Sequence, residues 1–252
     1  MLLEGKNAVI YGGAGKIGAA VARTFARHGA RVHLGGRTLA TVEAVAAEIR
    51  AAGGAAEAAA VDALDKGSVD AFVDGVAARA GSVDVSFNLI SVEDIQGTPI
   101  VAMDYADFAQ PVEIAMRSTF LTVRAAARHM VEQHAGAILF FGGSGDPVPD
   151  YSIGGFQVAL HAVEAMRRQL SSELGRSGVR FVTLKTGGIP ETLPAELGGS
   201  KEIGEGLAEM TMLKRAATLE DVGEVAAFVA SDRARTMTAA TVNLSAGALI
   251  DD

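Results

Sequence analysis

The chain has 252 residues, with 22 Lys plus Arg against 30 Asp plus Glu, a formal charge of −8 at pH 7, and 49% hydrophobic residues. That balance describes a soluble globular protein long enough to bury a sizeable core, and its acidity opposes binding to nucleic acid or to an anionic membrane surface. Without cysteine there is no disulfide framework, thiolate nucleophile or Cys-based zinc site.

The first element in chain order is an apolar run at Asn7–Tyr11, preceded by MLLEGK, which carries an acid and a base and lacks the long apolar core of a signal peptide. No other stretch approaches membrane-spanning length, so no membrane partner and a cytoplasmic location are expected. Further runs rich in Val, Ile and Leu follow at Arg31–Gly35, Glu57–Val61, Val83–Leu89, Ala137–Phe141, Val179–Leu184 and Thr241–Leu244. Between them lie Ala-rich segments whose apolar residues recur at helical spacing. Nearly continuous apolar character suits strands covered by helices on both faces. The pattern predicts an α/β fold with a doubly wound parallel sheet of about seven strands. No linker or composition shift divides residues 1–252, so a single domain is expected.

Helix ends are legible in places. Thr38 can cap the helix that follows the second strand, and Gly53 with Gly54 can close it in the left-handed conformation. Thr218 with Asp221 forms a variant capping box. Between Glu191 and Met212, Gly198, Gly199, Gly204 and Gly206 punctuate a segment without clear periodicity, which reads as a lid or substrate-binding loop.

After the first strand the chain runs Gly12, Gly13, Ala14, Gly15, Lys16, Ile17, Gly18 into an amphipathic helix. Gly13, Gly15 and Gly18 fit GxGxxG, and the pattern stands between a strand and a helix, where glycines admit a pyrophosphate and the helix N-terminus offers free N–H groups. Glycines that merely turn the corner are the alternative. NAD sites place an acid about 20 residues further on, at the end of the second strand, to bind the ribose hydroxyls. Here Gly35, Gly36, Arg37 and Thr38 stand there. A missing carboxylate and a guanidinium at Arg37 favour NADP(H) over NAD(H), the alternative being a solvated arginine at a helix start. Lys16 either adds charge near the phosphates or points into water.

On these residues the chain resembles the short-chain dehydrogenase/reductase family over essentially its whole length. The family's TGxxxGxG motif appears as Tyr11 to Gly18, with Tyr11 for the threonine and Lys16 for the middle glycine. Asp62, followed by Ala63, matches the acid placed on the adenine amino group, a helix-capping aspartate being the alternative. Asn88, Leu89, Ile90 and Ser91 stand where the family has NNAG. Gly187 and Ile189 lie in Thr186, Gly187, Gly188, Ile189, at the turn that meets the nicotinamide amide. The resemblance implies a Rossmann-type fold, a small-molecule substrate and a homotetramer or homodimer paired through the helices that begin near Asp104 and Gly155.

The family's hydride chemistry uses a Tyr, a Lys, a Ser and an Asn, and none of the four is present. The YxxxK positions hold Phe156 and Leu160, the serine position Gly143 and the asparagine position Ala115. A phenyl ring has no proton to donate and a leucine cannot stabilise a phenolate. Tyr11, Tyr105 and Tyr151 have no Lys four residues later, so no shifted motif exists. Ser144 and Tyr151 are candidates by location alone. His161 is turned about 100° around its helix from Leu160, away from the cofactor. The five histidines form no ligand pair, so no metal site is expected. The sequence therefore supports two readings. One is an NADP(H)-dependent oxidoreductase acting on a small carbonyl, alcohol or enone by a non-standard proton route. The other is a catalytically inactive dinucleotide-binding sensor or partner subunit.

Overall fold

Every residue of the first strand, NAVIY, is buried, so its alternating side chains must enter two separate cores. A computed structural model of the chain describes residues 1–143, 151–193 and 200–250. Its strands are β1 (Asn7–Tyr11), β2 (Arg31–Gly36), β3 (Ala55–Ala60), β4 (Val85–Asn88), β5 (Gly136–Gly142), β6 (Val179–Lys185) and β7 (Ala240–Asn243). They form one parallel sheet in the order β3-β2-β1-β4-β5-β6-β7. The helices are α1 (Lys16–Arg27), α2 (Leu39–Ala51), α3 (Lys66–Ala80), α4 (Tyr105–Gln133), α5 (Phe156–Leu174), α6 (Ser200–Glu209) and α7 (Leu219–Ala230). Ala8 and Ile10 of β1 join the core that also holds residues of α1, α2 and α7, whereas Val9 and Tyr11 join the core built with α3 and α4.

The strand order reverses between β1 and β4, whose connections leave toward opposite faces and open a crevice at their C-terminal ends. α5 begins beside that crevice because Gly155 lets two backbones touch. A Cβ there would lie 1.8 Å from the Phe108 carbonyl oxygen of α4. Among the described residues, no helix is long and apolar enough to cross a membrane.

All seven expected strands are present, with ends shifted by no more than two residues. Helix ends were legible where side chains close on their own backbone. The Thr218–Asp221 capping box is present in full. Thr38 does occupy the N-cap of α2, but its side chain makes no capping bond, and its carbonyl accepts from Thr41 instead. Gly53 is left-handed at φ 86°, whereas Gly54 is not.

The segment Glu191–Met212 begins within a 3-10 turn at Pro190–Thr192 and holds the helix α6. Residues 194–199, including Gly198 and Gly199, lie outside the described residues. Gly204 sits inside α6 because it passes Pro190 closely, where an added Cβ would meet Pro190 Cβ at 3.2 Å. Leu207, four residues after Ile203, turns onto Gly188. A tertiary contact thus explains a glycine that reads locally as a breaker.

One buried group makes stability depend on pH. His33 on β2 is 1% exposed, and among the described residues neither ring nitrogen has a hydrogen-bond partner. Burial lowers its pKa, and Glu57, 3.5 Å from Nδ1, opposes the shift without reversing it. The native state therefore keeps this imidazole neutral while the unfolded chain protonates near pH 6.5. Stability is expected to be lost as pH falls from 6.5 toward the lower native value, by at most about 1.4 kcal/mol per pH unit. Urea unfolding at pH 7.5 and 5.5 checks this, with His33→Val as reference. An identical loss in both proteins would place the effect elsewhere.

Candidate active site

The glycine loop is shaped by backbone contacts. Gly12 is left-handed at φ 70°, and a Cβ on it would lie 2.4 Å from the Leu89 carbonyl oxygen. A Cβ on Gly18 would lie 2.2 Å from the Gly12 carbonyl oxygen. Gly15 donates its N–H to Gly12 at 2.9 Å and precedes α1, whose first N–H groups receive no side-chain cap. A narrow backbone loop with uncapped N–H groups fits the pyrophosphate of a dinucleotide.

Beside this loop runs a groove of about 690 Å³. Of the expected cofactor residues, Gly12, Lys16, Ile17, Gly18, Arg37, Asp62, Ala63, Asn88, Leu89 and Ile90 line it. Ala14 and Thr38 are exposed and do not line it, Ile189 is buried away from it, and Gly187 lines the adjoining cavity. Glu93, Ile114 and Thr192 also line the groove and were not anticipated, because each sits on a loop or helix distant in sequence from the glycine loop.

Partners of the polar residues can be assigned. Lys16 Nζ donates to the Leu193 carbonyl at 2.7 Å, so this lysine spans from α1 to the segment after β6. Arg37 is largely exposed and donates to Glu93 Oε1 at 3.4 Å. Asp62 is not the cap of α3; that role falls to Asp65, which accepts from Ser68 N, while Asp62 accepts from Leu64 N at 2.9 Å and faces the groove. Asn88 donates to Ser118 Oγ at 3.1 Å and accepts from Ile90 N at 3.2 Å, which ties the end of β4 to α4. Tyr11 is buried at the base of the groove, its ring 5.8 Å edge-on to Phe72 and its hydroxyl without a hydrogen-bond partner among the described residues. Burial, and secondarily the charge of Asp70, push that hydroxyl above the ordinary tyrosine range.

A second cavity of about 670 Å³ continues from the groove. Asn88, Ile90, Ser91 and Phe141 line both spaces. Phe156, Leu160, Gly143 and Ala115 all line this cavity, so the four positions singled out in the sequence converge in space. Leu160 closes on the backbone of β5, where a Cβ on Gly142 would lie 2.5 Å from Leu160 Cδ2. Tyr151 is half exposed on the rim, Leu207 of α6 and Met210 just beyond its end form another wall, and His161 is exposed and does not line the cavity. Ser144 lies outside the described residues. Among those described, no group of three or more His, Cys, Asp or Glu residues is placed to hold a metal ion.

Residues 12–248 match the family model described as Enoyl-(Acyl carrier protein) reductase. Momilactone A synthase of Oryza sativa subsp. japonica is 31% identical over 97% of this chain and 90% of its own. D-threitol dehydrogenase of Mycolicibacterium smegmatis is 29% identical over 97% and 93%. The solved short-chain type dehydrogenase/reductase from Mycobacterium ulcerans superposes with a TM-score of 0.90 at 25% identity, covering 98% of this chain and 91% of that one.

Proposed function

Because the chain belongs to the short-chain dehydrogenase/reductase family of oxidoreductases, we propose that it binds NADP(H) in the groove between β1 and β4. Hydride would pass to or from a small carbonyl, alcohol or enone held in the adjoining cavity. The observation that carries this reading is the continuity of groove and cavity through Asn88, Ile90, Ser91 and Phe141. A ligand lying along the glycine loop reaches the cavity without crossing a wall.

The dinucleotide, when bound, supplies or accepts the hydride. The glycine loop and the N-terminus of α1 would hold its phosphates, Asp62 would face its adenine end, and Asn88 would brace the sheet beneath it. Arg37 would meet its 2′ position, with no acid on β2 to oppose a phosphate. Phe156 and Leu160 put apolar side chains in the cavity and offer no proton at the positions where the family's motif would place Tyr and Lys. Candidate sources of a proton are water, the substrate itself, Tyr151 on the rim and, by its place in the sequence, Ser144. An activated carbon–carbon double bond suits such a cavity best, since an enolate spreads its charge and takes its proton from solvent.

A second reading rests on the seat of Leu160 against Gly142, which fills the space of the family's lysine with packing. In that reading the protein binds the dinucleotide without turnover, as a sensor or partner subunit. NADPH consumption with enones, ketones and quinones separates the two. A homotetramer or homodimer and a cytoplasmic location belong to the same proposal. The groove between α4 and α5, lined by Phe120, Met166, Leu170 and Leu174, is the face expected to pair.

Arg37→Ala is expected to weaken NADPH by at least about tenfold, the scale of one charge-assisted contact, and to leave NADH nearly unchanged. Fluorescence titration measures both. An equal change for the two dinucleotides would remove Arg37 from the 2′-phosphate site.

A further inference from the structure

The end of β2 carries no acid, yet the groove holds a carboxylate beside Arg37. Glu93, on the loop after β4, lines the same groove, and its Oε1 accepts from Arg37 Nη2 at 3.4 Å. β2 and β4 are the two neighbours of β1, so the pair bridges the groove across the end of that strand.

Glu93 is held where it stands. Its N–H donates to Ser91 Oγ at 3.2 Å, and Gln110 Nε2 donates to its Oε2 at 3.2 Å. Its backbone is left-handed at φ 56°, a conformation that a glutamate keeps only where its surroundings impose it. The ion pair, in contrast, is weak. The two side chains are 77% and 47% exposed, and solvent screens them. Arg37 can therefore leave Glu93 at little cost, while Glu93 stays in place.

We propose that Glu93 is a specificity-determining residue, a built-in carboxylate that occupies the place at Arg37 which a 2′-phosphate would take. This deepens the dinucleotide reading and rests on it. A 2′-phosphate brings a charge of about −1.5 to −2. It must draw Arg37 away from Glu93 and then sit next to a fixed negative charge. A ribose 2′-hydroxyl instead donates a hydrogen bond to the same carboxylate, as it does to the β2 acid of NAD sites. Glu93 thus lowers affinity for the phosphorylated dinucleotide and supports the unphosphorylated one, so the protein discriminates less sharply than Arg37 alone would dictate.

The test compares Kd for NADPH and NADH by fluorescence titration, and for adenosine 2′,5′-bisphosphate and 5′-AMP by competition, in the whole protein. Glu93→Gln keeps the shape and the Gln110 contact while removing the charge. Glu93→Asn repeats the charge removal with a residue type that tolerates left-handed backbone. Both variants are expected to tighten NADPH and the bisphosphate on the order of tenfold, and to leave NADH and 5′-AMP unchanged or weaker. If both variants leave the ratio of the two Kd values within about twofold of the parent while Arg37→Ala shifts it, the proposal is overturned and the groove reading survives. If the parent protein binds neither dinucleotide, the groove reading falls and this proposal with it.

Discussion

Gly18→Ala is expected to abolish dinucleotide binding, weakening it by more than about 100-fold, and to cost the fold about 3 kcal/mol. The added methyl would lie 2.2 Å from the Gly12 carbonyl oxygen, 2.9 Å from its carbon and 3.1 Å from Gly13 Cα. All three neighbours are backbone, so no side chain can rotate to make room. The loop itself must move, and it cannot move inward, because Gly12 already presses on the Leu89 carbonyl. Any displacement carries the loop into the space that the pyrophosphate needs. Gly15→Ala is the internal comparison, since its Cβ would meet only the Gly12 carbonyl oxygen, at 3.3 Å. Urea unfolding reports the stability and an NADPH titration the binding. Retention of parental affinity by Gly18→Ala would mean that the loop does not carry the phosphates.

The second large effect is a gain. The double variant Phe156→Tyr, Leu160→Lys is expected to raise NADPH-dependent ketone reduction by about 100-fold, the lower end of what a positioned general acid contributes. Both side chains line the cavity, and residues four apart share a helix face, so the ammonium would stand beside the phenol and lower its pKa. Phe156→Tyr alone should gain far less, because an unassisted phenol near pKa 10 remains a poor acid at neutral pH. Leu160 packs against Gly142, so a lysine there exchanges apolar packing for a partly desolvated charge. We expect the double variant to be less stable by about 2 kcal/mol. Steady-state kinetics on a panel of ketones checks the gain. A folded double variant that still binds NADPH and gains nothing would show that substrate geometry, and not the absent acid, limits carbonyl reduction. Enone reduction, where the parent protein shows it, should change little, since solvent can protonate the product.

How far each feature was legible depended on the range of the interaction behind it. β1 was read residue for residue from NAVIY, because burial on both faces demands an unbroken apolar run and leaves a plain trace in the chain. The glycine loop was legible for a similar reason, since Gly18 meets the backbone of Gly12, only six residues away. The Thr218–Asp221 box closes within one turn and was equally visible. Gly204 was misread because its reason lies at Pro190, on a different element. The absence of an acid on β2 was read correctly, yet the carboxylate that faces Arg37 comes from Glu93, beyond β4. By itself, then, the sequence determined the sheet, the glycine turn after β1 and the residue types at Phe156 and Leu160, each a matter of composition or short-range spacing. The tertiary structure alone decided which charges meet across the groove, that Phe156, Leu160, Gly143 and Ala115 enclose one cavity, and how α6 walls it. Those pairings form where the ends of separate strands and helices are brought together, and a linear pattern carries no record of such proximity.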